Sequence, residues 1–274
     1  MIELLVVIAL IAILAGLLLP ALMAVKVKGR SLNCLSNERQ LALACLLYAG
    51  DANERLPYNL GSAEIRRLGQ QGQFPNWTSP VLDWELDSDN TNTALLVRGG
   101  IGPYVSRSGE VYRCPNDRVV SDLQASEGWT SRVRSLSMNM MIGDAGEFSR
   151  SGANVNNPYY RQFFKITQVP EPARIFVFIE EHPDSINDGY FIDQLQTYRW
   201  TDLPASWHDG AVNLSFADGH SEEHRWRFAS TKPPPRPDGA GLPFSIPVAE
   251  RGDFDWLTTR MSTETQSSGT VRSY

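Results

Sequence analysis

The stretch MIELLVVIALIAILAGLLLPALMAVKVKGRSLNCLSNERQLALACLLYAGD, residues 1–51, decides the fold. Its first half carries one charge, Glu3, and the uncharged run over residues 4–25 is 22 residues long, about 33 Å of α-helix at about 1.5 Å per residue. A bilayer core is about 30 Å thick, so the run predicts a retained transmembrane helix. A cleaved secretory signal has a basic start, a shorter apolar core and a small-residue cleavage site, none of which this run shows. An unpaired carboxylate inside such a span costs about 2.5 kcal/mol or more. Glu3 therefore needs a partner, which a neighbouring chain's free amino terminus can supply, or a place at the headgroup level. Pro20 removes a donor from the helical ladder and Gly16 softens the turn before it, predicting a kink or a melted turn.

Beyond Lys26, Lys28 and Arg30, the residues Leu32, Leu35, Arg39, Leu43, Leu46 and Leu47 step at three and four, with Leu41, Cys45 and Tyr48 broadening the stripe. Gly50, Asp51, Asn53 and Pro57 are stop signals. The expectation is a spine helix from about residue 2 to about residue 52, half transmembrane and half amphipathic. Residues 56–92 read as irregular, rich in glycine and proline around Trp77 and Trp84. Strand-like runs follow at 111–113, 174–181, 211–217 and 221–228. The last two flank Asp218-Gly219, a turn signal for a hairpin. The predicted fold class is α+β, with the spine packed on an antiparallel β-sheet. The predicted divisions are a transmembrane or filament-core helix (1–25), its amphipathic continuation (26–55), a β-rich globular domain (56–229) and a Pro/Ser/Thr-rich C-terminal extension (230–274).

The string IELLVVIALIAILAGLLLPAL, the basic turn after it and SLNCLSNERQLALACLLYAGD closely resemble bacterial type IV pilin-like proteins and type II secretion pseudopilins. The resemblance implies a leader removed by prepilin peptidase, with the mature terminus upstream of Met1, and methylation of the new amino terminus. It implies a helical filament of identical subunits whose core is the apolar helices, Glu3 neutralising an adjacent subunit's amine and Pro20 matching the family proline. The chain is then expected as a single-pass protein of a bacterial inner membrane before assembly, and as a periplasmic or extracellular filament after extraction by an assembly machine. A pilin-like subset carries a histidine, nine residues and then Asp-Gly near its C-terminus; here these are His208, Asp218 and Gly219, with His220 behind them. RCPND at 113–117, LSMNMMIG at 136–143 and FIEEHPDSINDGYF at 178–191 look like further pieces of that subset.

Composition excludes several classes. A net charge of -6 and 25 Lys+Arg against 31 Asp+Glu leave no basic face for nucleic acid. Three cysteines are too few for a disulfide-dense scaffold or a four-thiolate zinc module. No G-x-S-x-G, H-E-x-x-H or phosphate-binding glycine loop is present. The chain reads as a non-enzymatic structural subunit, the competing class being an anchored surface domain that binds or performs metal-dependent hydrolysis.

Candidate sites are few. Cys34 and Cys114 are a candidate disulfide tying helix to sheet, with three free buried thiols as the other reading and Cys45 as the odd one. Asp184, Asn187 and Asp188 before Gly189 resemble part of a calcium loop, since hard oxygen donors on a tight turn suit that ion, and some pseudopilins hold calcium in a loop. The EF-hand pattern fails, with Leu195 where its bidentate Glu belongs. His208, Asp218, His220 and His224 are candidate zinc donors across a hairpin, against a purely structural Asp-Gly turn. Glu180, Glu181 and His182 offer carboxylates beside an imidazole, although adjacent strand residues point to opposite faces.

Overall fold

The computed structural model describes residues 2–106, 108–237 and 241–265, and within the first helix the side chains of 2, 3, 5, 8, 17 and 20–27 fall outside the description. Helix α1 covers Ile2–Asp51. In its second half Cys34, Glu38, Leu41, Cys45 and Ala49 are buried while Leu43 and Leu47 stay exposed. Spacings of three and four place the buried set on one stripe.

That stripe lies on a five-stranded sheet of β1 (Leu136–Asn139), β2 (Phe176–Glu180), β3 (Tyr190–Phe191), β5 (Ala211–Phe216) and β6 (Ser221–Arg225), in the order β3-β1-β2-β5-β6. The pairs β1/β2, β2/β5 and β5/β6 are antiparallel and β1/β3 is parallel. β5 and β6 turn at Asp218-Gly219, where Gly219 takes φ 91°, a left-handed conformation open to glycine. A separate ribbon pairs β4 (Arg199–Trp200) with β7 (Phe244–Ser245).

The sheet is covered on both sides, which is why every residue of β2 and β5 is buried. On one side Leu41, Ala44 and Cys45 of α1 join Trp77, Tyr112, Val177 and Phe178. On the other, Phe176, Val212, Leu214 and Phe216 pack against Phe254 and Leu257 of α5 (Gly252–Thr258). Three further helices, α2 (Ser62–Gln70), α3 (Thr93–Arg98) and α4 (Asp122–Ser126), sit in the connections.

These observations correct several expectations. The sheet is mixed, not antiparallel, because β1 accepts β3 as a parallel neighbour on its free edge. The transmembrane half of the spine, and with it single-pass anchoring in an inner membrane, is overturned: among the described residues no helix is long and apolar enough to cross a membrane. Residues 111–113 do not form a strand; a 3-10 turn occupies Glu110–Tyr112. The stretch 56–92 is less irregular than expected, since it contains α2. The region after residue 230 is not wholly a draped extension, because β7 and the buried Phe254 and Leu257 of α5 belong to it.

Candidate metal centre and the exposed apolar helix

Four segments converge beneath α1. Cys34 comes from the helix, Cys114 from the chain just after the 3-10 turn, Glu180 from the last position of β2 and His208 from the loop that enters β5. Their donor atoms all lie within 4.8 Å of one another and all four residues are buried. Cys34 Sγ is 2.6 Å from Cys114 Sγ, and both are free thiols. Cys114 Sγ is 3.6 Å from His208 Nε2, which in turn lies 3.0 Å from Glu180 Oε1.

The surrounding groups hold this set in place. The Asn213 backbone N–H donates to Glu180 Oε2 at 2.9 Å, and the Cys114 N–H donates to Ser135 Oγ at 2.6 Å. Asn116 Nδ2 sits 3.4 Å from His208 Nδ1. His208 also lines an open groove of about 600 Å³, shared with Ser31, Leu35, Glu223 and Arg225, which joins the cluster to solvent.

Electrostatically the cluster is unusual. Burial opposes the charged form of His208, but hydrogen bonds to Cys114 and Glu180 and the Glu180 charge outweigh it and raise the imidazole to about 10. Burial, with the hydrogen bond to Cys34 and the Glu180 charge behind it, holds Cys114 far up in its thiol form. Glu38, one turn along α1 from Cys34, is fully buried, and burial followed by the Glu180 charge raises its carboxyl well above the usual range. Among the described residues no Lys or Arg forms an ion pair with Glu38 or Glu180, and His208 is the only ion-pair partner of Glu180.

The remaining candidates fare differently. Cys45 is buried apart from the other thiols, and burial pushes it up to about 12. In the calcium candidate, Asp188 Oδ1 and Oδ2 accept from the Tyr190 and Ser62 N–H groups, Asn187 Oδ1 accepts from the Asp188 N–H, and both Asp184 oxygens accept from the Arg236 N–H, so these oxygens brace the turn. His208 is not joined by Asp218, His220 or His224. The His220 ring stacks on Phe216, with Nδ1 2.5 Å from Asp218 Oδ1 on a half-exposed turn. His224 stacks on Trp256, and burial lowers it to about 4. Glu180 and Glu181 face opposite sides, as strand alternation requires, with Glu180 on His208, while His182, beyond the end of β2, turns its Nε2 to the Pro233 carbonyl at 3.1 Å. Glu3 and Pro20 have side chains outside the described residues, and Gly16 has open space around it.

Glu38 escaped the sequence reading, and Glu180 was read only beside Glu181 and His182. Glu38 lies four residues after Cys34 and seven before Cys45, so its place on the buried stripe was open to inspection. The meeting of Glu180 with the cysteines was not, because its signal is purely three-dimensional.

A second surface stands out. Leu4, Val6, Val7, Leu10, Ile11, Ile13, Leu14, Leu18 and Leu19 are each more than half exposed. These positions fall on all sides of the helix, so no side of the described apolar segment is covered.

Comparison with protein-family models, with curated proteins and with solved structures finds no match to this chain.

Proposed function

We propose that the chain is a structural subunit of a helical filament of the type IV pilus-like or type II secretion pseudopilus kind. In it, the apolar segment of α1 from each copy packs against the same segment of its neighbours. The observation that carries this reading is the uncovered helix over residues 4–19. An apolar helix exposed on every side is unfavourable in water and marks an interaction surface. Identical helices from neighbouring subunits bury it at about 25 cal/mol per Å², and head-to-tail repetition of one such contact generates an open helical polymer. Glu3 at the start of the segment provides an acid for a neighbour's amino terminus, as the resemblance to pilin-like proteins implies. Processing by a prepilin peptidase and assembly by a dedicated machine belong to the same reading.

A structural role suits the buried cluster too. It offers four protein donors with no open position, the arrangement of structural rather than catalytic metal centres, so metal-dependent hydrolysis draws no support from it.

The test is assembly by the natural full-length protein in cells. Sheared extracellular material is expected to hold polymer visible by electron microscopy, with a leaderless, N-methylated terminal peptide. Leu14→Asp is expected to abolish the polymer while leaving thermal unfolding of the globular part unchanged. Recovery of monomer alone from the native protein, or polymer indifferent to Leu14→Asp, overturns the reading.

A further inference from the structure

We propose that Cys34, Cys114, Glu180 and His208 form a structural zinc site that fastens α1 to the globular domain. The donor chemistry selects the ion. Two thiols and an imidazole suit zinc, whereas calcium and magnesium take oxygen ligands. Four donors from four separate segments, all buried and within 4.8 Å of one another, match a closed four-coordinate site. With Zn–S near 2.3 Å and Zn–N near 2.0–2.1 Å, a tetrahedron has S···N edges of about 3.6 Å and N···O edges of about 3.4 Å. The observed separations are 3.6 Å for Cys114 Sγ to His208 Nε2 and 3.0 Å for Nε2 to Glu180 Oε1.

The sulfur pair discriminates less by distance than by surroundings. Its 2.6 Å separation lies between the about 2.05 Å of a disulfide and the about 3.8 Å edge of a zinc-bound thiolate pair. Oxidation to a disulfide removes two hydrogens and makes no use of the imidazole and carboxylate turned onto the sulfurs. A metal ion engages all four donors, His208 Nε2 and Glu180 Oε1 included. On binding, zinc replaces the proton of each thiol and the Nε2 proton of the His208 imidazolium, the three protons pass to solvent through the groove that His208 lines with Ser31 and Leu35, and no electron is transferred. The remaining ring proton then sits on Nδ1, and the Asn116 carboxamide beside it accepts a hydrogen bond from it once its oxygen turns toward the ring, the role such outer groups play around metal-bound histidines.

This inference does not depend on filament assembly. Full-length protein purified without chelator is expected to carry about one zinc per chain by elemental mass spectrometry. Its intact mass under non-reducing conditions is expected to be that of three free thiols. After chelation, cobalt(II) titrated into the chain is expected to give thiolate-to-metal charge-transfer absorption, which Cys114→Ser removes. Asn116→Ala, which leaves all four donors in place, is expected to weaken zinc binding 10- to 100-fold. A zinc-free protein whose mass is lower by two hydrogens establishes the disulfide and overturns the proposal. So does a reduced, folded protein that takes up neither zinc nor cobalt.

Discussion

At the scale of a residue, buried carboxyls set the response to pH. Glu181 is fully buried, and burial raises it to about 8 against the pull of the Ser137 and Ser185 hydroxyls and the Arg134 charge. An unfolded chain releases the same proton near pH 4.3, so folding retains a proton across the window from about 4.3 to about 8. The folded state binds more protons there, and stability falls as pH rises through it. One such group changes stability by at most about 1.4 kcal/mol per pH unit. Asp188, raised to about 6 by burial, acts in the same direction, as do Asp193 and Asp202. His224, lowered to about 4 by burial, acts oppositely between pH 4 and its unfolded value near about 6.5. Glu181→Gln is therefore expected to flatten the decline in melting temperature between pH 5 and pH 8. A variant that keeps the native slope removes Glu181 as its source.

At the scale of an element, α1 is governed by where its side chains fall relative to the sheet. Leu41 is fully buried against the cluster that holds Trp77 and Phe178, while Leu47, on the same helix, is 58% exposed. Leu41→Ala is expected to cost about 2–5 kcal/mol through lost burial and the cavity left behind. Leu47→Ala is expected to stay within about 0.5 kcal/mol in the isolated chain, as surface changes do. Denaturant unfolding of the two variants measures the contrast, and equal losses contradict the orientation of α1. The helix and the β5–β6 hairpin were legible in the sequence, because the three-and-four spacing of leucines and the Asp218-Gly219 turn act over a few residues. The parallel neighbour of β1 was not, because β3 is only two residues long and carries no periodicity to read.

At the scale of the whole molecule, one sheet separates two apolar clusters that share no residue. Phe254 of α5 anchors the far side, in contact with Trp200 at a ring separation of 5.0 Å. Phe254→Ala is expected to lower stability by about 3–5 kcal/mol. Combined with Leu41→Ala on the opposite side, the losses are expected to add within about 0.5 kcal/mol, because distant sites without common partners act independently. Both single variants are expected to lower one common unfolding transition. A second transition appearing in either variant contradicts a shared sheet as the support of both clusters.

The sequence by itself determined which stretches are apolar, where α1 changes from uniformly apolar to striped, and where the hairpin turns. Each of these is a local property, set by side-chain period and backbone preference over fewer than about ten residues. It also singled out Cys34, Cys114 and His208 without showing their shared purpose. Tertiary structure alone decided that Glu180, rather than His220 or His224, completes the set, and that Glu38 is buried beside it. Strand alternation tells that Glu180 and Glu181 point to opposite faces, but only the packing of α1 on the sheet tells which face is which. The donors stand 80 and 94 residues apart along the chain where they touch, Cys34 with Cys114 and Cys114 with His208. Contacts over such separations depend on the burial of whole faces, which no local pattern encodes. Counting apolar residues also predicted a membrane span, whereas among the described residues no helix is long and apolar enough to cross a membrane.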